Sequence, residues 1–438
     1  MMDIREYLKE FAQQDCACGK SHAVEIPRLV VESGAIVKIP QFVGEFGAKK
    51  PFLLADAVTY EVAGRRVCEI LAEAGIECEK YVFPVGVEPD EVAIDSATTH
   101  FDDTCDIVIG VGSGVINDIG KMLANAVGKP YFIVATAPSM DGYASATSSM
   151  SIGGLKVSLD SKRADLIIGD IDILKQAPST MLVAGLGDML AKYVSIAEWR
   201  IAREVTGEYY CERVADLIRG ALCRCVDNVD GLLNREDDAV RSVFEGLVIG
   251  GVAMAFAGVS RPASGVEHYF SHVWDMRGLA YGTQVQLHGI QCAVATYIAS
   301  GLYEKVLGLI PGRDKAIRYA ENFDYPAWAD MVRSLLGAGG DAMVSLEEKE
   351  QKYNVAKHLE RLEVICAKWD KILKIIREEI PSQREIGAIL DKIGAPKSIE
   401  EIGVDLDMPT TLCLTKDIRD KYVLSRLLWD IGVIDEIV

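Results

Sequence analysis

Six histidines occur in the chain, and three of them, His268, His272 and His288, fall within 21 residues. In Ser264-Gly-Val-Glu-His268-Tyr-Phe-Ser-His272 two imidazoles stand one helical turn apart, and Leu287-His288-Gly289 adds a third. Upstream, Gly185-Leu-Gly187-Asp188-Met-Leu-Ala-Lys192 puts a carboxylate and an ammonium one turn apart on one helix face. One carboxylate with two imidazoles leaves coordination positions open, the donor set of a catalytic divalent ion of the zinc, nickel or iron type. A lone helical histidine is more often a hydrogen-bonded structural group, which is the reading for His100 and His358. A cluster is harder to explain that way, because burying several titratable rings without a ligand costs free energy.

A second chemistry-bearing stretch is Asp106-Ile-Val-Ile-Gly-Val-Gly112-Ser113-Gly114-Val115-Ile116-Asn117-Asp118, a buried strand, a glycine turn and a helix start in succession. Free N–H groups and the positive end of a helix dipole attract phosphate there, and glycine lets the backbone approach it. The spacing is not G-x-G-x-x-G, so a tight turn without a ligand is an equal alternative. After the strand ending at Thr136 comes Ala137-Pro-Ser139-Met-Asp141-Gly-Tyr-Ala-Ser145, a polar loop at the carboxyl end of a parallel strand. That is the edge where open α/β sheets bind ligands. Asp56 ends another strand, where it can accept from a ribose diol and favour NAD, or simply cap a helix.

Cys16-Ala-Cys18-Gly-Lys-Ser-His22 has short metal-like spacing but lacks the second ligand pair of a closed zinc site, and it is assigned no role. Cys223 and Cys225 lie in a helical stretch, where core packing is the simpler reading.

These residues need a frame. From about Val24 to Asp172, short β-branched runs alternate with helical stretches, the pattern of parallel strands joined by crossover helices. The clearest strands are Pro51–Ala55, Lys80–Val85, Ile107–Val111, Tyr131–Thr136 and Leu166–Asp170. Beyond Pro178 helical periodicity takes over, in Met181–Arg203, Tyr209–Val226, Asp238–Val259 and the charged Leu346–Glu379. The expected domains are therefore 1–177, α/β and Rossmann-like, and 178–438, all-helical, with the boundary at Gln176-Ala-Pro178-Ser179.

The chain has 438 residues, half of them apolar, enough for two domains with large cores. A net charge of −19 argues against nucleic acid and anionic membrane as partners and for a small-molecule substrate. The longest apolar-plus-glycine run, Gly246–Val259, is too short for a bilayer span and reads as a buried helix. The N-terminus lacks a basic, then apolar, export signal, and the odd count of eleven cysteines suits reduced thiols, so the cytoplasm is the expected compartment.

The motifs Gly112-Ser-Gly-Val-Ile-Asn-Asp118, Thr136-Ala-Pro-Ser-Met-Asp-Gly-Tyr-Ala-Ser145, Gly185-Leu-Gly-Asp188, Ser260-Arg-Pro-Ala-Ser-Gly-Val-Glu-His268 with His272, and Leu287-His-Gly289 occur in this order over most of the chain. Through them the sequence resembles the glycerol-1-phosphate dehydrogenases. These form a branch of the superfamily that holds iron-containing alcohol dehydrogenase, glycerol dehydrogenase and dehydroquinate synthase. The resemblance implies a dehydroquinate synthase-like fold, an NAD or NADP cofactor, and reduction of dihydroxyacetone phosphate to sn-glycerol 1-phosphate.

Carried over by residue, it implies that Asp188, His268 and His288 hold one divalent metal and that Asp141 and His272 face the substrate. For the dinucleotide it implies Asp56 at the ribose and the backbone of Gly114, Val115, Ile116, Asn117 and Asp118 at the pyrophosphate. Thr136, Ser139 and Ser145 then lie nearer the nicotinamide. A phosphorylated substrate also needs positive charge, for which Lys192, counted with the catalytic groups, and Arg261 are the candidates. His288 is followed by Gly-Ile-Gln-Cys-Ala, a departure from the acidic residue and further glycine of many relatives. A polyol dehydrogenase on an unphosphorylated substrate and a dehydroquinate-synthase-like lyase are the alternatives; the oligomeric state is open, with a homodimer one option.

Overall fold

The computed structural model describes residues 4–153 and 155–437. Six strands, β1 (Arg28–Glu32), β2 (Pro51–Asp56), β3 (Glu79–Phe83), β4 (Ile107–Gly112), β5 (Tyr131–Ala135) and β8 (Leu166–Asp170), form one sheet in the order β1-β8-β5-β4-β2-β3. Every pairing in it is parallel. The inner strands β4, β5 and β8 are buried along their whole length, and β2 up to Asp56. This explains their near-continuous apolar runs, since helices cover both faces of a parallel sheet. The edge strands β1 and β3 are only partly buried, and β1 is not among the runs singled out in the sequence.

From β2 the chain steps outward to β3, whereas from β4 it runs the other way through β5 to β8. The reversal lies between β2 and β4, so Asp56 and the Gly112–Gly114 turn end neighbouring strands at the sheet's switch point, where such folds leave a crevice.

The chain divides into two compact units that are not contiguous in sequence. The first is Met1–Gly153, Val157–Met189 and Gly220–Gly258; the second is Gly154–Lys156, Leu190–Arg219 and Val259–Val438. These units are drawn differently from the expected 1–177 and 178–438. The strands do stop there, but the start of the Ser179–Thr206 helix and the whole Asp237–Ala257 helix pack with the sheet. Glycines permit that packing. A Cβ at Gly185 would sit 1.8 Å from the Pro138 carbonyl oxygen, one at Gly251 would sit 2.9 Å from the Asp141 carbonyl oxygen, and one at Gly169 would strike Phe244.

Two further strands are absent from the expectation. β6 (Thr147–Ile152) and β7 (Leu155–Asp160) pair with each other; β6 is mostly serine and threonine and β7 holds a single β-branched residue, Val157, so neither carries a strong β-branched signal. The charged stretch 346–379 is not one helix but parts of three, ending at Glu350, Ala367 and Glu379. No proline or glycine breaks it. The buried Glu347 carboxylate accepts from the backbone N–H groups of Lys352 and Tyr353, and Asn354 caps the next helix. Side chains there replace the helical ladder.

Candidate active site

In the first unit, β4 passes through Ser113 directly into the Gly114–Val127 helix. A Cβ at Gly112 would lie 2.6 Å from that of Ile116, so the turn itself requires this glycine. Gly114 differs, since a Cβ there would meet only Met140, at an ordinary 3.5 Å. The chain's own packing does not demand glycine at this point, whereas close approach of a ligand would. Ser113, the N-cap, makes no side-chain capping bond, and the ladder begins with the Asn117 N–H on the Ser113 carbonyl (2.9 Å). The N–H groups of Gly114, Val115 and Ile116 precede it and face the helix's positive end.

The remaining residues of that segment brace the neighbouring loop. Asn117 Nδ2 donates to the Gly142 carbonyl (3.1 Å), and the buried Lys121 Nζ donates to the carbonyls of Thr147 (2.6 Å) and Gly142 (3.3 Å). Asp118 pairs with Lys121 (2.9 Å) and accepts from the Ser149 N–H (3.2 Å). The loop after β5 is tied to the glycine turn. The Thr136 N–H donates to the Gly112 carbonyl (3.1 Å), the Ser139 and Ser113 hydroxyls are 2.6 Å apart, and the Tyr143 hydroxyl donates to the Ala137 carbonyl (2.6 Å). The Ser145 hydroxyl is engaged locally with Thr147. Asp56 caps the short helix that follows it, accepting from Val58 and Thr59 through Oδ1 alone, so a ribose would be accepted by Oδ2.

Asp141 and Asp188 come together, although 47 residues separate them. The Asp141 N–H donates to Asp188 Oδ2 at 2.9 Å, and Asp188 is fully buried. The approach follows from Gly185, one turn earlier on the same helix, where the Pro138 carbonyl leaves no room for a side chain.

In the second unit, His268 opens the Val266–Tyr281 helix and His288 opens the His288–Val306 helix. Their ring centroids are 4.9 Å apart, and those of His272 and His288 are 6.3 Å apart. Each candidate ligand is anchored through Nδ1: His268 on Glu267 Oε1 and His288 on the Ser271 hydroxyl, both at 2.9 Å. Such a bond fixes the tautomer and presents Nε2 to an ion. Sequence reasoning missed Cys292, whose Sγ lies 3.5 Å from His288 Nε2 and whose donor atom joins those of His268 and His288 within 4.8 Å. The signal was available, since Cys292 follows His288 by one helical turn. Two imidazoles oriented by neighbours, with a thiol beside them, fit a borderline-soft divalent ion.

Behind His268 lies a pair of buried carboxylates. Glu198 accepts from the N–H groups of Val266 and Leu424 (both 2.8 Å) and from the Tyr303 hydroxyl (3.1 Å). Burial and the neighbouring Glu267 push its pKa up to about 8. Burial also raises that of Glu267. Lys192 is buried and donates to the Ala263 carbonyl (3.2 Å).

Arg261 does not provide an open anion site. Its guanidinium is fully buried, forks onto both carboxylate oxygens of Glu208 (2.7 and 2.5 Å) and donates to the Tyr422 carbonyl (2.9 Å). Positive charge that acts on His272 comes instead from Arg419 and Lys421. With burial as the largest cause, they help hold its imidazole pKa well below 6.5.

The family model described as iron-containing alcohol dehydrogenase matches residues 30–178. Among curated proteins, the chain is similar to glycerol-1-phosphate dehydrogenase (NAD(P)+) of Halalkalibacterium halodurans, 32% identical over 66% of this chain and 74% of that protein. It is also similar to that of Bacillus velezensis, 32% identical over 73% and 83%.

The chain belongs to the glycerol-1-phosphate dehydrogenase family.

The similarity extends to an archaeal member from Methanosarcina mazei, 31% identical over 65% of this chain and 80% of that one. Among solved structures, the glycerol dehydrogenase of Schizosaccharomyces pombe superposes with a TM-score of 0.62 at 17% identity, covering 94% of this chain and 89% of that one. That likeness supports the fold alone. The parallel sheet, the helical second half and the family resemblance expected from the motifs all hold.

Proposed function

We propose that this protein reduces dihydroxyacetone phosphate to sn-glycerol 1-phosphate with NADH or NADPH, with Asp188, His268 and His288 holding one divalent cation. The reading is carried by the two imidazoles whose Nδ1 atoms are tied to Glu267 and Ser271, and its substrate comes from the relatives' names. When bound, the nicotinamide supplies the hydride and the cation supplies the positive charge that favours reduction at the ketone carbon.

The chain's own groups bind and orient. Gly114, Val115 and Ile116 offer backbone N–H donors to the pyrophosphate, and Asp56 Oδ2 accepts from a ribose hydroxyl. Asn117 and Asp118 act from behind by bracing the 136–147 loop, and Thr136, Ser139 and Ser145 shape its nicotinamide end. Asp141 and His272 face the substrate, where His272 orients the water that delivers the proton to the developing hydroxyl. Arg419 replaces Arg261 as the proposed partner of the phosphate, because its charge acts on His272. Lys192, buried and bonded to the Ala263 carbonyl, is the further positive charge proposed for the site. The cytoplasm is the proposed compartment, and a homodimer is the assembly to test by sedimentation.

The test is cofactor oxidation by apo protein reconstituted with zinc, nickel or iron in turn, offered the phosphorylated or the free ketone. Metal-dependent turnover that prefers the phosphate ester and gives the sn-1 product is expected, with the preference largely lost in R419A. Faster turnover of free dihydroxyacetone would point to the polyol dehydrogenase reading. Absence of net cofactor consumption with either ketone would point to the lyase.

A further inference from the structure

The N-terminal segment of the first unit holds a cluster that the proposed reaction does not use. Residues 16–19 form a tight turn in which the Gly19 N–H donates to the Cys16 carbonyl at 3.1 Å, with Gly19 at φ +79°. The donor atoms of Cys16, Cys18 and His22 all lie within 4.8 Å of one another. His22 is fully buried, and its Nδ1 bonds the Phe256 carbonyl (2.9 Å) near the end of the Asp237–Ala257 helix. This leaves Nε2 toward Cys18 Sγ, 3.4 Å away. The Lys20 backbone N–H is directed at the same sulfur at 3.5 Å.

We propose that Cys16, Cys18 and His22 bind a structural zinc ion, separate from the cation of the reaction. With Zn–S of about 2.3 Å and Zn–N of about 2.0 Å, the edge of a tetrahedron between sulfur and nitrogen is about 3.5 Å, matching the Cys18–His22 approach. A zinc-bound histidine ordinarily gives its other ring N–H to a carbonyl, which is the arrangement at Phe256. The Lys20 N–H stabilises the negative charge that Cys18 carries as a thiolate. Cys16, Gly19 and Lys20 also line a cavity of about 790 Å³, which gives an ion its way in.

Along the chain the motif lacks the second ligand pair of a closed zinc site. The tetrahedron needs only one more donor, from a residue outside 16–22 or from water. Binding is a ligand exchange without redox change: the two thiols release two protons to solvent, and His22 coordinates as the neutral ring. The consequence is local. Phe11 stacks on Phe256 at 4.8 Å, so the ion would fasten the N-terminal helix Ile4–Gln13 to the helix that supports the Asp141 loop at Gly251.

A Cys18–His22 hydrogen bond with no metal is the alternative, and cobalt distinguishes the two. The full-length C292S/H268A protein, which lacks the thiol and an imidazole of the catalytic cluster, is stripped of metal and titrated with Co2+. A tetrahedral d–d spectrum with a thiolate-to-cobalt charge-transfer band at one ion per chain is expected, and C18S in that background should abolish the band. In the otherwise native protein, C16S/C18S should bind one fewer zinc per chain and melt several degrees earlier, with kcat changed by no more than about two-fold. Absence of the charge-transfer band, or unchanged zinc stoichiometry in C16S/C18S, would overturn the proposal. If C16S/C18S does not fold, the cobalt spectrum of C292S/H268A decides alone. Either result leaves the proposed reaction untouched, because metal content and spectrum are read here rather than ketone reduction.

Discussion

Glu198 shows how a residue far from any motif shapes the site. Its two oxygens receive the N–H of Val266, at the start of the helix that presents His268, and the N–H of Leu424. Burial raises its pKa from 4.5 to about 8, so the folded protein holds this carboxyl protonated at neutral pH while the unfolded chain does not. Between those values the native state binds more protons than the unfolded one. This contribution to stability is therefore complete below pH 4.5 and is lost as pH rises through about 8. Glu198→Gln cannot ionise, so the difference in urea midpoint between the native protein and the variant should narrow steadily from pH 5 to pH 8. A constant difference would refute the shifted carboxyl. Nothing in the sequence around Glu198 marks it, whereas His268 and His288 stand out by type and spacing. A buried carboxylate is recognised by its surroundings, and these come from residues 266, 303 and 424.

At the scale of elements, two glycines near the sheet's carboxyl edge serve opposite purposes. Gly185 is required by the chain itself, since its Cβ would sit 1.8 Å from the Pro138 carbonyl oxygen; Gly114 has room for a Cβ. Gly185→Ala should therefore destabilise the fold by about 1–3 kcal/mol or more and displace the 136–145 loop, seen as a lower denaturation midpoint together with lost activity. Gly114→Ala should keep the native melting temperature yet raise the KM for NADH at least tenfold, because a methyl group occupies the place of the pyrophosphate. Equal loss of stability in both variants would contradict the distinction. The inner strands were legible as runs of apolar residues because a parallel sheet buries both faces. The β6–β7 pair was not, because its stability rests on partners rather than on its own composition. The 346–379 stretch was misread for a similar reason, its interruption being made by Glu347 and Asn354 side chains.

For the whole molecule, two helices, Ser179–Thr206 and Asp237–Ala257, are long and apolar enough to cross a membrane, but 83% and 78% of their most apolar windows are buried inside the protein. Their hydrophobicity is that of core elements. The proposed metal ligands lie far apart in sequence, at 188, 268 and 288, so the unfolded chain cannot gather them and an ion binds the native state alone. At a hundred times its dissociation constant the ion should stabilise the protein by about 2.7 kcal/mol, read as a higher melting temperature of the reconstituted over the chelated protein. Asp188→Ala should respond less to the same addition; an undiminished response would remove Asp188 from the ligand set.

The sequence by itself determined the elements and the chemistry: apolar periodicity laid out the parallel sheet and the helices, and rare residue types at short spacing exposed the histidines, the glycine turn and the family. Only the tertiary structure decided which helices pack with the sheet, that Arg261 is neutralised by Glu208, and that His22 is anchored on the Phe256 carbonyl. Those outcomes depend on contacts between residues tens to hundreds of positions apart, for which local periodicity and spacing carry no information.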